Sequence, residues 1–173
     1  PYWLAYEDEA ERIKNYFNRF NGRMSALDLL NLNDISAKDM LWEVMREELI
    51  PASILHEFAC VCAEYAISLT EYQHPHSENA IKVKRAWING KATDEELDTA
   101  RNAAWDAAID AVEDNRDDYA AAKAAAWAAE ENAVSAAKGA VCEADRAAYD
   151  ADRDTYEDTK KAQITYLIMA LED

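Results

Sequence analysis

The second half of this chain is a run of Ala and acidic residues that reads as helix throughout and carries most of the negative charge. Residues 93–173 hold 21 Asp/Glu against 8 Lys/Arg, a net of −13 out of −17 for all 173 residues. Ala is the strongest helix former, and good helix formers need no acid to stay helical. Like charges four residues apart on a helix are mildly destabilising. Their concentration therefore suggests a surface meant for something cationic. With only 3 Gly and 3 Pro, the chain lacks the turn residues of a β-rich fold. The expected class is all-α: a compact N-terminal helical bundle over residues 1–92, followed by long Ala-rich acidic helices over 93–173, packed with it as one unit. The large apolar residues are densest before about residue 90, so the main core is expected there.

Local patterns place the helices. Ile13, Phe17 and Phe20 repeat at helical spacing over 6–20, and Asn21-Gly22 is a stop signal. Ser25 with Asp28 and Ser36 with Asp39 are capping pairs, the second opening a stripe of Met40, Leu41, Val44, Met45 and Leu49. Pro51 suits the first turn of a helix over about 52–70, whose broad apolar face belongs at the centre of the core. His74-Pro75-His76-Ser77 reads as a turn. A short helix over 78–88 follows, with Ile81, Val83 and Trp87 apolar and Lys82, Lys84 and Arg85 exposed. Thr93-x-x-Glu96 is a capping box that opens the Ala-rich region. There Ala100, Ala103, Ala104, Ala107, Ala108 and Ala111 follow the spacing of one face, with Trp105, Ile109 and Val112 on an adjacent stripe. A seven-residue repeat through Ala120, Trp127, Val134, Val141, Ala148, Thr155 and Ala162, with Ala137, Ala144 and Ala151, forms a seam that expects a facing helix. That helix comes from this chain or from a second copy; Trp127, Val134 and Val141 are the candidate oligomerisation residues.

Chemistry is sparse. Glu71-x-x-His74 is half of a di-iron carboxylate signature with no second half. His56-Glu57-Phe58-Ala59-Cys60 lacks the second His of a zinc-protease helix. His74 and His76 suit a surface turn and His56 a satisfied interfacial position, so no metal site is assigned. No nucleophile elbow, phosphate loop or dinucleotide fingerprint occurs, so no catalytic residue and no cofactor is expected. Cys60, Cys62 and Cys142 are an odd set without a signal-like leader, which points to free thiols in a reducing cytoplasm. No apolar run approaches a membrane span. The charge argues against direct nucleic-acid and anionic-membrane binding and favours basic protein partners.

The best candidate site is an acidic ladder. Asp106, Asp110, Asp114 and Asp118 recur every four residues, with Glu113 and Asp117 beside them. On a continuous helix they form one ridge with steps of roughly 6 Å. Asp150, Asp154 and Asp158 form a second set. Such ridges offer carboxylates to Arg and Lys side chains that otherwise grip phosphates, in effect imitating nucleic acid. The bland alternative is a solvated face that maintains solubility.

The middle of the chain also resembles a family of bacterial and phage immunity proteins. The matching residues are Leu41-Trp42-Glu43-Val44, Leu55-His56-Glu57-Phe58-Ala59-Cys60-Val61-Cys62-Ala63-Glu64-Tyr65-Ala66, the junction Ala86-Trp87-Ile88-Asn89-Gly90-Lys91-Ala92-Thr93-Asp94-Glu95-Glu96-Leu97, and Ala100-Arg101-Asn102-Ala103-Ala104. The resemblance covers about residues 35–137. It implies an all-α, non-enzymatic protein that neutralises another protein, such as a toxin nuclease. In a phage the role resembles counter-defence, anti-CRISPR-like, acting in the bacterial cytoplasm. It transfers no catalytic residues.

Overall fold

The computed structural model describes residues 24–32, 35–71, 74–114 and 118–172, apart from the side chains of Arg153 and Asp154. The helix expected over 6–20 lies outside the described residues. Among these, every regular element is a helix: α1 (Ala26–Leu30), α2 (Ala37–Val44), α3 (Ala52–Ser68), α4 (Pro75–Ile88), α5 (Asp94–Glu113), α6 (Tyr119–Ala128), α7 (Ala133–Ala151) and α8 (Arg153–Glu172).

The starts follow side-chain caps. Ser25 and Thr93 form full capping boxes with Asp28 and Glu96, and Ser36 caps α2 by accepting from the Asp39 N–H. Asn132 does the same for α7. Each satisfies N–H groups that a helix start leaves without partners. Helix α2 is shorter than its apolar stripe suggests. It ends at Val44, and a turn carries Met45 and Ile50 into the core before Pro51 caps α3. Helix α4 is longer than expected, because Pro75 takes its first position. There proline's fixed φ fits and its missing N–H costs nothing. His76 and Ser77 are therefore helical. Gly90, at φ 66°, closes the helix in the left-handed conformation that suits glycine.

The Ala-rich region is not one long helix. It breaks after Glu113, again around Ala129–Asn132, and once more at Asp152, whose backbone is fully extended at φ −173° and ψ 149°. Nor is it peripheral. Helix α6 buries seven alanines in ten residues and touches α3, α4, α5 and α7. Alanine faces let helices approach closely on several sides at once. The core accordingly draws on both halves of the chain. Leu41, Val44, Leu55 and Phe58 share one cluster with the alanines of α6 and α7 and with Leu167 of α8. A second cluster joins Ala80, Leu97, Ala100 and Ala104 to Ala126 and Ala129. Helix α3 packs on α4, α6, α7 and α8, as its broad face predicts.

Two buried residues depart from expectation. Lys84 is fully buried, not exposed. Its ammonium donates to the Glu130 carbonyl just beyond α6 at 2.5 Å and sits 4.1 Å above the Trp87 ring. His56 is buried edge-on to Trp87, and among the described residues its Nδ1 has no hydrogen-bond partner. Arg85 is half-buried and ties α4 to Glu57 and Glu64 of α3.

Candidate functional site

The ladder survives in part. Asp106, Asp110, Glu113 and Asp114 are all exposed, at the C-terminal end of α5. This follows from the burial of Leu97, Ala100, Ala104, Ala108 and Ala111 on the opposite face. At about 100° per residue, Asp106 and Glu113 fall diametrically opposite Ala104, with Asp110 about 60° from Glu113. Among the described residues no cation pairs with Asp106, Asp110 or Glu113. Asp114 is the C-cap residue, where the helix stops.

Asp118 does not belong to the ridge. The helix has ended five residues earlier, and Asp118 sits at the start of α6, only 3% exposed. Its carboxylate lies 3.7 Å from Nδ1 of the equally buried His74. His74 Nε2 is in turn 2.6 Å from the Thr70 hydroxyl. The two carboxylates at the ends of this stretch thus have different work: Asp110 faces water, and Asp118 helps anchor the α5–α6 connection to the start of α4. Asp117 lies outside the described residues.

The second acidic set is not a ridge. The break at Asp152 separates exposed Asp150, near the end of α7, from α8. Asp158 is exposed and pairs with Lys161 at 3.2 Å, and the side chain of Asp154 lies outside the described residues.

The heptad seam is interrupted by the same breaks, and its facing helices come from this chain. Val141 is 5% exposed within the main core, and Val134 and Trp127 pack against that core. Trp127 covers Gly139 and meets Trp105 edge-on at 5.6 Å between centroids. Of the three candidate oligomerisation residues, Val141 is thus buried, and Trp127 and Val134 are half-buried against helices of this chain.

Two features near the ridge escaped the sequence reading. Ile109 and Val112 are 55% and 59% exposed, Ile109 lying between the acids and the Trp105 row and Val112 on that row. The signal was present, because these positions fall well away from the Ala104 face, but a stripe beside alanines reads as core. A polar cavity of about 340 Å³ also opens between the start of α4 and the end of α5. His74, His76, Ser77, Asp110, Glu113 and Asp114 line it. No three His, Cys, Asp or Glu side chains among the described residues are grouped as metal ligands. No family model matches the chain, and no curated protein or solved structure matches it.

Burial sets the remaining chemistry. Lys84 has its pKa lowered to about 8, chiefly by burial. It is nonetheless sealed from solvent and committed to the end of α6, which makes it a strut between helices. Burial also pushes the thiols of Cys60 and Cys62 up, the former to about 12, so both behave as small apolar residues. Among the described residues, no helix is long and apolar enough to cross a membrane.

Proposed function

We propose that this chain is an inhibitory binding protein without catalysis of its own. Its α5 ridge occupies a basic, nucleic-acid-binding surface on a partner such as a toxin nuclease or a host-defence complex. The observation that carries the reading is the exposed row Asp106, Asp110 and Glu113, unpaired with any described cation and flanked by exposed Ile109 and Val112. Carboxylates at steps of roughly 6 Å along a rigid helix suit the Arg and Lys rows that grip phosphates. An apolar flank adds what phosphate mimicry alone lacks, namely surface that protein partners desolvate. The inhibitory role implied by the immunity-family resemblance is part of this proposal.

The test uses two variants of equal net charge. One neutralises the ridge by Asp106→Asn, Asp110→Asn and Glu113→Gln. The other neutralises the exposed Glu47, Glu157 and Glu172, none of which lines the cavity beside the ridge. Each is used as bait in bacterial lysate, washed at low and high salt, with and without competing DNA. The reading expects a nucleic-acid-binding protein held by the wild type and the distant variant, released by salt or DNA, and lost from the ridge variant. Equal retention by both variants would reduce the ridge to a solubilising face. Recovery of only the chain itself would favour self-association through a surface other than the buried seam.

A further inference from the structure

The polar cavity between the start of α4 and the end of α5 holds a group that neither the fold nor the ridge uses. Ser77 lines it and is only 1% exposed, yet among the described residues its hydroxyl has no hydrogen-bond partner. The register of α4 places it there. With Pro75 in first position, Ser77 opens the buried stripe continued by Ala80, Ile81 and Lys84, so its side chain is turned into the protein rather than to water. A buried hydroxyl without a partner costs free energy that a ligand bonding it recovers. Its buried polar neighbours in the lining are already engaged: Asp118 lies 3.7 Å from His74, whose Nε2 meets the Thr70 hydroxyl.

The rest of the lining says what that ligand is. Asp110, Glu113 and Asp114 form its exposed side, and no described Lys or Arg lines it. Asp110 and Glu113 pair with no described cation, so two carboxylates outweigh the roughly half positive charge at the start of α4. The ligand is therefore a cation. A bare metal ion does not suit the lining, because no three His, Cys, Asp or Glu side chains among the described residues are grouped as ligands. The acceptors are instead spread around a cavity of about 340 Å³, within the range of roughly 300–1,000 Å³ for ligand-sized sites. A guanidinium meets both conditions. It is weakly hydrated and its N–H donors diverge in a planar fork, whereas an ammonium is a strongly hydrated point charge. We propose that this cavity receives the guanidinium of an arginine side chain of the partner protein, with Asp110 and Glu113 accepting from it at the rim and Ser77 Oγ accepting from it inside. This rests on the binding reading of the ridge, which shares Asp110 and Glu113 with the cavity. An arginine seated in a pocket is the kind of anchor on which protein interfaces concentrate their affinity.

The experiment needs no partner. N-acetyl-arginine amide and N-acetyl-lysine amide are titrated separately into the full chain at low salt and followed by backbone amide shifts in NMR. The arginine compound should bind several-fold more tightly than the lysine compound, with shifts centred on Ser77, Asp110 and Glu113. Ser77→Ala removes only an unpartnered hydroxyl, so it should melt no lower than the wild type while binding the arginine compound several-fold more weakly. Glu113→Gln, at an exposed position, should weaken it as well, and Asp106→Asn, on the ridge but outside the lining, should not. Absent binding, equal binding of the two compounds, shifts centred elsewhere, or undiminished affinity in Ser77→Ala or Glu113→Gln would overturn the proposal. Its failure is distinct from that of the ridge. Capture of a partner from lysate by a chain that ignores the arginine compound would remove the cavity assignment alone. Binding of the compound by a chain that captures nothing would remove the partner and leave an arginine site.

Discussion

Buried His56 makes the stability of this protein depend on pH in a calculable way. In an unfolded chain histidine titrates near pH 6.5. In the fold, burial first and the Lys84 ammonium second lower its pKa to about 4. The unpartnered Nδ1 and the edge-on Trp87 offer the protonated ring nothing in return. Between pH 4 and 6.5 the unfolded chain takes up a proton that the folded one refuses. The contribution is therefore complete above pH 6.5 and is lost as pH falls through that window. Linkage gives a loss of about 2 kcal/mol at pH 5 and a ceiling of about 3 kcal/mol below pH 4. For a chain of this length that corresponds to a Tm lower by about 4–8 °C at pH 5 than at pH 8 from this group alone. Other carboxyls titrate nearby, among them Asp145, whose pKa burial raises. The informative quantity is thus the difference between the wild type and His56→Leu, each melted by circular dichroism from pH 8 to pH 4.5. The leucine variant should gain on the wild type steadily below pH 6.5. Parallel melting curves over that range would refute the argument.

Two further outcomes follow from the packing of the Ala-rich helices. A Cβ added at Gly139 would lie 2.4 Å from the Trp127 ring, so Gly139→Ala should destabilise by about 1–2 kcal/mol despite alanine's better helix propensity. In a Trp127→Ala background the same change should instead stabilise by up to about 1 kcal/mol, and denaturant titrations showing no change of sign would contradict the close contact. Val141→Asp places a charge in the main core and should cost about 3–5 kcal/mol in denaturant unfolding, whereas unchanged stability with altered sedimentation would restore a seam between copies.

The parts of this fold written in local chemistry are legible in the sequence. Ser25, Ser36 and Thr93 announce their helices because a cap is decided within four residues. Pro51 and Gly90 do the same for ends. What periodicity could not show was where a run of alanines stops. Ala fits every face of a helix, so the apparent heptad through Trp127, Val134 and Val141 crosses a turn at 129–132 without leaving a mark. Lys84 was misplaced for a related reason. Its exposure depends on the end of α6, 46 residues away, presenting the Glu130 carbonyl, and no window around residue 84 contains that fact. The ridge was half legible: its spacing held to Asp114, while the burial of Asp118 depends on His74, which arrives from the other side of the cavity.

The position of the ridge bears on whether the fold needs it. A helix favours acids in its first turn and bases in its last. Helix α5 obeys the first half of that rule with Asp94, Glu95 and Glu96. At its other end it carries Asp110 and Glu113, then Asp114 as the cap, and no base in the last turn. The start of α4 faces Asp110, Glu113 and Asp114 across the cavity, and its positive end offsets part of this cost. Asp106 is not among the residues that line that cavity, and the exposed Ile109 and Val112 beside it leave apolar surface in water. A face serving solubility alone has no use for exposed isoleucine and valine, and a face serving stability alone would place lysine at the end of α5. Asp106, Asp110 and Glu113, unpaired with any described cation, and the uncovered Ile109 and Val112 share one helix, and for the proposed binding role that makes this ridge, rather than the more numerous acids elsewhere, the site to perturb.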